Sequence, residues 1–270
     1  MPVRGAIGLV RRSRNRLLHI GRRVATRLGR RCRSANAARL SVILPSYARP
    51  RNIDLILSAA LACDFVSEII VSNNDPAVPL ERMIHVRDPR IRLVQQPRRT
   101  PASVRFDLSR TAAEPWVLAI DDDVFPSSRQ IRELFERLLA SPHAVHGYGG
   151  ETWGDPPAEA TYRVVKRPRG AVPVDTLMWA FAYTHDHVET YFDMLSQLGI
   201  DNAELKSSED VPLSFAGRGP AIIHGVGRLC RCPSESEPSI ATWKRPGFFE
   251  HRLDLVARCR AIQAARGDAG

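Results

Sequence analysis

The chain has 270 residues, 44% of them hydrophobic and 25% charged, with a formal net charge of +10. That composition is one of an ordinary globular protein with a full α/β core, and the length leaves no room for a second domain of the same size. The charge is uneven: residues 1–39 hold twelve Arg and no Asp or Glu, leaving 27 Lys+Arg against 29 Asp+Glu in residues 40–270, which argues against a nucleic-acid binder.

The basic tail, residues 1–39, sets Leu17, Ile20, Val24 and Leu28 at helical spacing among Arg16, Arg22, Arg23 and Arg27. Such a segment suits an anionic membrane surface, while Gly5, Gly8, Gly21 and Gly29 favour a disordered leader. No apolar run approaches 18 residues, and Arg11 and Arg12 interrupt the only stretch resembling a signal peptide. The expectation is a cytoplasmic protein, peripheral at the membrane through its tail. Five cysteines without a paired C-x-x-C spacing indicate neither a disulfide framework nor a structural zinc.

After the tail, Leu40–Leu44 reads as a buried strand that leaves through the loop Pro45-Ser46-Tyr47-Ala48-Arg49-Pro50. A helix is expected over 51–62, then a strand Ser67–Ser72 ending in Asn73-Asn74-Asp75, a strand Ile91–Val94 and a helix over 101–113. The strand Trp116–Ile120 follows and stops in Asp121-Asp122-Asp123. This order predicts a doubly wound, mostly parallel sheet with helices on both faces, its polar residues gathered at strand ends where ligands bind. Further on, Ser128–Leu139 reads as a helix, Gly147–Gly150 as a flexible turn, residues 153–157 as a loop, 171–183 as one apolar strand and His187–Leu198 as a helix ended by Gly199.

An apolar strand that ends in three carboxylates suits a hard divalent cation, Mn²⁺ or Mg²⁺. No G-x-G-x-x-G or G-x-x-x-x-G-K-[ST] element follows the first strand, so phosphates would be held by that cation and by basic side chains. A second acidic pair, Glu209-Asp210, opens a short helix, where it is either a cap or an acid/base group. His224 is open to two readings, a third metal ligand or a satisfied interior histidine.

These blocks resemble glycosyltransferases of the GT-A fold. The Pro45–Pro50 loop, the Ile69–Asn74 strand, Arg105, the Asp triplet, Glu209-Asp210 and Trp243-Lys244-Arg245 with Phe249 and Arg252 follow the order of the exostosin-type branch, over about residues 41–252. The resemblance implies a GT-A domain over 40–266 that moves a hexosyl or N-acetylhexosaminyl group from a nucleoside-diphosphate-sugar donor to a glycan or lipid-linked hydroxyl. It implies Asp123 and Asp121 as metal ligands, with Tyr47, Arg49, Asn73, Arg105, Asp121 and Asp122 on the donor and Asp210, Glu209 and Arg245 in catalysis. Ala48 stands where the family loop often has Asn, and Ala102 replaces a polar residue. The exostosin-type branch retains anomeric configuration and related enzymes invert it; the sequence leaves both open. Rival readings are a sugar nucleotidyltransferase, which would need a Gly-rich basic loop after the first strand, and a non-catalytic binding module of the same fold.

Overall fold

A computed structural model describes residues 32–154, 162–205, 207–232 and 241–267. The strands are β1 (Leu40–Ser46), β2 (Val66–Asn73), β3 (Ile91–Gln95), β4 (Trp116–Ile120), β5 (Val124–Phe125), β6 (His146–Thr152), β7 (Arg163–Lys166), β8 (Ala171–Val174), β9 (Thr176–Thr184), β10 (Ala221–His224) and β11 (Cys230–Arg231). The helices are α1 (Ile53–Leu61), α2 (Leu80–Met83), α3 (Val104–Ser109), α4 (Ser128–Ala140), α5 (His185–Leu198), α6 (Asp210–Ser214) and α7 (Phe248–Gly267).

The central sheet has the order β3-β2-β1-β4-β9-β6-β10-β8, with β7 added beside β6. β3, β2, β1 and β4 are mutually parallel, β9 is antiparallel to both of its neighbours, and β10 is parallel to β6. It follows that β1 to β4, β6 and β10 all run the same way and deliver their carboxyl ends to one edge. This is the expected α/β fold with a mostly parallel sheet.

Each face of the sheet buries its own core. Ile53, Ile56, Leu57 and Ala60 of α1 recur at helical spacing and pack with Ile131, Leu134, Phe135 and Leu138 of α4 on one side. Val188, Tyr191, Met194 and Leu195 of α5 pack with Leu255, Val256 and Cys259 of α7 on the other. The ends of α5 are set locally: Thr184 forms a capping box with His187, and Gly199 at φ 66° closes the helix.

Four expectations change. The helix expected over 101–113 shortens to α3, and the strand expected over 171–183 divides into β8 and β9 around Asp175. The Gly147–Gly150 run is no turn; it lies within β6, a buried central strand. Its glycines answer to crowding, since a Cβ on Gly147 would stand 2.8 Å from Leu177 Cδ2 and one on Gly150 2.6 Å from the Thr176 carbonyl oxygen. Finally, Cys32 pairs with Cys63 in a parallel bridge and packs with Ala38 against the core, inside the segment assigned to the tail. The tail's amphipathic stretch and residues 155–157 lie outside the described residues. Among the described residues no helix is long and apolar enough to cross a membrane.

His224 joins the interior. His146 Nδ1 and His224 Nε2 lie 2.8 Å apart across neighbouring strands, and His146 Nε2 lies 2.8 Å from the Ser141 carbonyl oxygen. Burial, with His146 adding to it, pushes the His224 imidazole down to about 4.

Gly150→Ala is expected to destabilise the protein by about 1–3 kcal/mol, the usual cost of overpacking, and to lower Tm by several degrees. Differential scanning calorimetry reads this directly; an unchanged Tm would mean that β6 does not run against the Thr176 backbone.

Candidate active site

The carboxyl edge of the sheet opens into a cavity of about 1540 Å³. Its wall takes Tyr47 and Arg49 from the loop after β1, the Asp triplet after β4, Glu151 from β6, Glu209 and Asp210 from the start of α6, and Arg245 and Arg252 from the C-terminal segment. That volume exceeds the ~300–1,000 Å³ of most small-molecule sites, so it can take two substrates.

Three arginines organise the wall, Arg105 and Arg252 buried and Arg49 half-buried, and each meets two carboxylates. Arg49 reaches Asp122 Oδ1 at 2.7 Å and Asp123 Oδ2 at 3.3 Å. Arg105 reaches Asp121 Oδ1 at 2.8 Å and Glu209 Oε1 at 3.2 Å. Arg252 reaches Asp210 Oδ1 at 2.7 Å and Glu151 Oε2 at 2.8 Å. Burial opposes the charge of each guanidinium, and the flanking carboxylates more than offset it, so all three are raised above the ordinary arginine value.

Asp122 does not face the cavity as an open ligand. It is 6% exposed, accepts the Tyr47 N–H at 2.8 Å as well as Arg49, and its carbonyl oxygen accepts from Asn52 Nδ2 at 2.8 Å. Burial pushes its carboxyl up to about 6 against the pull of Arg49 and the Tyr47 N–H. The middle Asp therefore fastens the first loop to the end of β4. Between Tyr47 and Arg49, Ala48 sits at φ 57°. That left-handed conformation favours Asn over Ala, which accounts for the Asn common at this place in the loop it resembles.

Asn73 is also structural. Its Nδ2 donates to the Val78 carbonyl and to Gln95 Oε1, each at 2.8 Å, and it is the neighbouring Asn74 that lines the cavity. Arg105 is 3% exposed, and so is part of the interior rather than a solvated charge. Arg245 lies on the cavity wall at its exposed rim, closing the short turn Thr242–Lys244. Glu209 is buried behind Asp210; burial raises its carboxyl, Arg105 pulls it back and Asp210 adds to the rise.

The residues that sequence reasoning missed are Glu151 and, as a site residue, Arg252. Glu151 ends the glycine run of β6, and Tyr162 Oη and Thr176 Oγ1 donate to it at 3.0 and 2.9 Å. Trp179, in the apolar strand expected over 171–183, packs partly against the core and also lines the cavity at φ 73°, with its carbonyl oxygen accepting the Asp121 N–H at 2.8 Å. An aromatic residue at positive φ beside the Asp triplet is a second signal of strain there, after Ala48, and no pattern of residue types announces it.

The donor set suits a hard cation. Each arginine and its two carboxylates carry one formal excess negative charge, and the described residues contain no group of three or more His, Cys, Asp or Glu that could hold a metal. The protein can offer Asp121 and Asp123, and the remaining ligands would be diphosphate oxygens and water, the usual arrangement for Mg²⁺. His224, paired with His146, takes no part.

A mostly parallel sheet, with β7, β8 and β9 antiparallel and an acidic end on β4, is an architecture of GT-A type. Residues 41–188 match the model of glycosyl transferase family 2, and the chain belongs to that family. The match bears out the GT-A glycosyltransferase resemblance at the level of that family and does not extend to the exostosin-type branch read from the motif blocks. Among solved structures the fold is similar to that of "GalNAc-T7 with UDP, GalNAc and Mn2+", at a TM-score of 0.54 and 10% identity, over 83% of this chain and 48% of the other. A second similar structure is that of S. aureus TarS 1-349 in complex with UDP, at a TM-score of 0.47 and 17% identity, over 71% of this chain and 59% of that one. The chain thus spans about half the length of the first and under two thirds of the second. No curated protein sequence matches it.

Asp122→Ala is expected to cost about 2–3 kcal/mol of stability, because it removes the nearer carboxylate of half-buried Arg49 and the acceptor of the Tyr47 N–H. Asp123→Ala should cost less stability, since its Arg49 contact is the longer one at 3.3 Å, and should remove activity. Urea unfolding separates the two; equal midpoints would show that the Asp122 contacts do not hold the loop.

Proposed function

We propose that the protein transfers a sugar from a nucleoside-diphosphate donor to an acceptor hydroxyl with the help of a divalent cation. The observation that carries this reading is the convergence of the Asp triplet and Asp210 on one cavity. Asp121 and Asp123 would hold the cation, which when bound offsets the charge gathering on the departing diphosphate. Tyr47, Arg49 and Asn74 line the end nearest β1 and would receive the nucleotide.

In the chemical step, Asp210 takes the proton of the acceptor hydroxyl while that oxygen bonds to the anomeric carbon. The bond from that carbon to the diphosphate oxygen breaks, and its electron pair leaves with the diphosphate. Attack from the face opposite the leaving group inverts the anomeric configuration. Arg245 at the rim would add positive charge near the diphosphate, where it stabilises the transition state more than the ground state. Since the similar GalNAc-T7 structure is one with UDP, GalNAc and Mn²⁺, UDP-hexoses and UDP-N-acetylhexosamines with Mn²⁺ are the first donors to test.

Released nucleoside diphosphate, followed over a donor panel, is expected to require Mn²⁺ or Mg²⁺ and to vanish with chelator. Asp210→Asn should keep donor binding and lower turnover by about 10²-fold or more, the scale of losing a positioned base. Calorimetry showing equal donor affinity in excess chelator would remove the cation from the reading, and a binding module without activity would release no diphosphate from any donor.

The basic segment before the fold we assign to an anionic membrane surface, on twelve Arg without an acid in residues 1–39. Each Arg near such a surface contributes about 1 kcal/mol within a Debye length. Because Cys32 already belongs to the fold, the test removes residues 1–31. Flotation with phosphatidylserine vesicles should retain the full chain, release the truncated one, and weaken with salt; equal recovery of both would exclude the tail as anchor.

A further inference from the structure

Asp210 is held by a guanidinium that comes from the far end of the chain. Arg252 Nη1 lies 2.7 Å from Asp210 Oδ1 and Nη2 lies 2.8 Å from Oδ2, so both carboxylate oxygens are gripped at once. The same Nη2 lies 2.8 Å from Glu151 Oε2 and 3.4 Å from Thr176 Oγ1. Arg252 is 2% exposed, and its guanidinium carbon sits 5.4 Å from the centre of the Phe248 ring and 5.9 Å from that of Trp153. A planar fork gripped at both ends and flanked by rings has one orientation available.

The helix that carries it is itself fastened. Arg260 Nη2 donates to Asp175 Oδ1 at 2.9 Å and to the Trp153 carbonyl at 3.1 Å, while Gln263 Nε2 donates to the Phe215 and Gly217 carbonyls at 3.0 Å. The position of Arg252 is thereby set by β6, the β8–β9 corner and the end of α6 together.

We propose that Arg252 and Glu151 are positioning residues that aim the Asp210 carboxylate at the acceptor hydroxyl, so that the C-terminal helix completes the active site. The proposal rests on the reading of Asp210 as the base. Glu151 fixes the guanidinium, the guanidinium fixes Asp210, and neither needs to touch a substrate. A carboxylate on the first turn of a five-residue helix would otherwise turn about its own side-chain bonds, and a misplacement of 1 Å at a reacting group costs about 10²-fold.

The test uses the full chain and the donor identified by diphosphate release. Arg252→Met should lower kcat by about 10²-fold while leaving the donor Kd within twofold. Glu151→Gln, nearly isosteric, should lower kcat in the same direction by less. The decisive measurement is Arg252→Met in an Asp210→Asn background, where the second substitution should cost almost nothing because the group it aims has gone. A purely structural role would lower kcat by the same factor in both backgrounds, and that result overturns the proposal. So does an unchanged kcat in folded Arg252→Met, or a parallel loss of donor affinity, which would make Arg252 a donor contact. If Arg252→Met fails to fold, Glu151→Gln decides, with an unchanged kcat overturning the assignment. Full activity in Asp210→Asn alone would sink the base reading instead, so the two failures are distinct.

Discussion

The sharing of three guanidiniums, two of them buried, between pairs of carboxylates is the interaction on which this site depends. Burying a charge costs several kcal/mol, and removing one partner of a buried pair leaves that cost uncompensated. Here the pairs are linked end to end. Arg49 joins the β1 loop to Asp122 and Asp123, Arg105 joins Asp121 to Glu209, and Arg252 joins Asp210 to Glu151. Because Asp121 to Asp123 are consecutive, as are Glu209 and Asp210, the three bridges form one chain of alternating charge from the end of β1 to the end of β6. The β1 end and the β6 end of the cavity are therefore set by a single network, and Arg105 is the link between them.

That network is possible because the sheet points its polar ends one way. β1, β4 and β6 all finish at the same edge, although β9 runs against them between β4 and β6. The antiparallel β9 returns the chain along the sheet and leaves Trp179 opposite Asp121. The small side of the bargain falls on β6, whose glycines let it press against β9 closely enough to present Glu151 beside Asp210. The geometry at that end is set by backbone approach, and the arginine only then has two acids within reach.

Much of this is legible in the sequence where the signal is local. An apolar run such as Val117–Ile120, stopped by three acids, can hardly be anything but a buried strand ending at a polar edge, and Glu209-Asp210 before an apolar turn reads as a helix start. The readings that fail are those in which tertiary crowding overrides a local preference. Glycine favours turns, yet Gly147, Gly149 and Gly150 serve a strand because Leu177, Trp179 and Thr176 occupy the space of their side chains. Asn73 and Asn74 are adjacent in a strand end, and alternation sends one inward to Gln95 and the other to the cavity; composition cannot say which. The Arg252–Glu151 contact joins residues 101 positions apart, and no spacing encodes it.

Two non-glycine residues at positive φ flank the Asp triplet, and their places are informative. Ala48, at φ 57°, lies between the backbone N–H of Tyr47 and the guanidinium of Arg49, both of which hold Asp122. Trp179, at φ 73°, turns its carbonyl to the Asp121 N–H. Such conformations cost about 1–3 kcal/mol each and persist only where their surroundings fix them. Relaxing Ala48 would pull either the N–H or the guanidinium off Asp122, and relaxing Trp179 would free the first amide of the triplet. The strain is thus stored in the two segments that aim the carboxylates. It is balanced by the charge network those segments serve, which is why a backbone so unfavourable locally can be the one the sequence adopts.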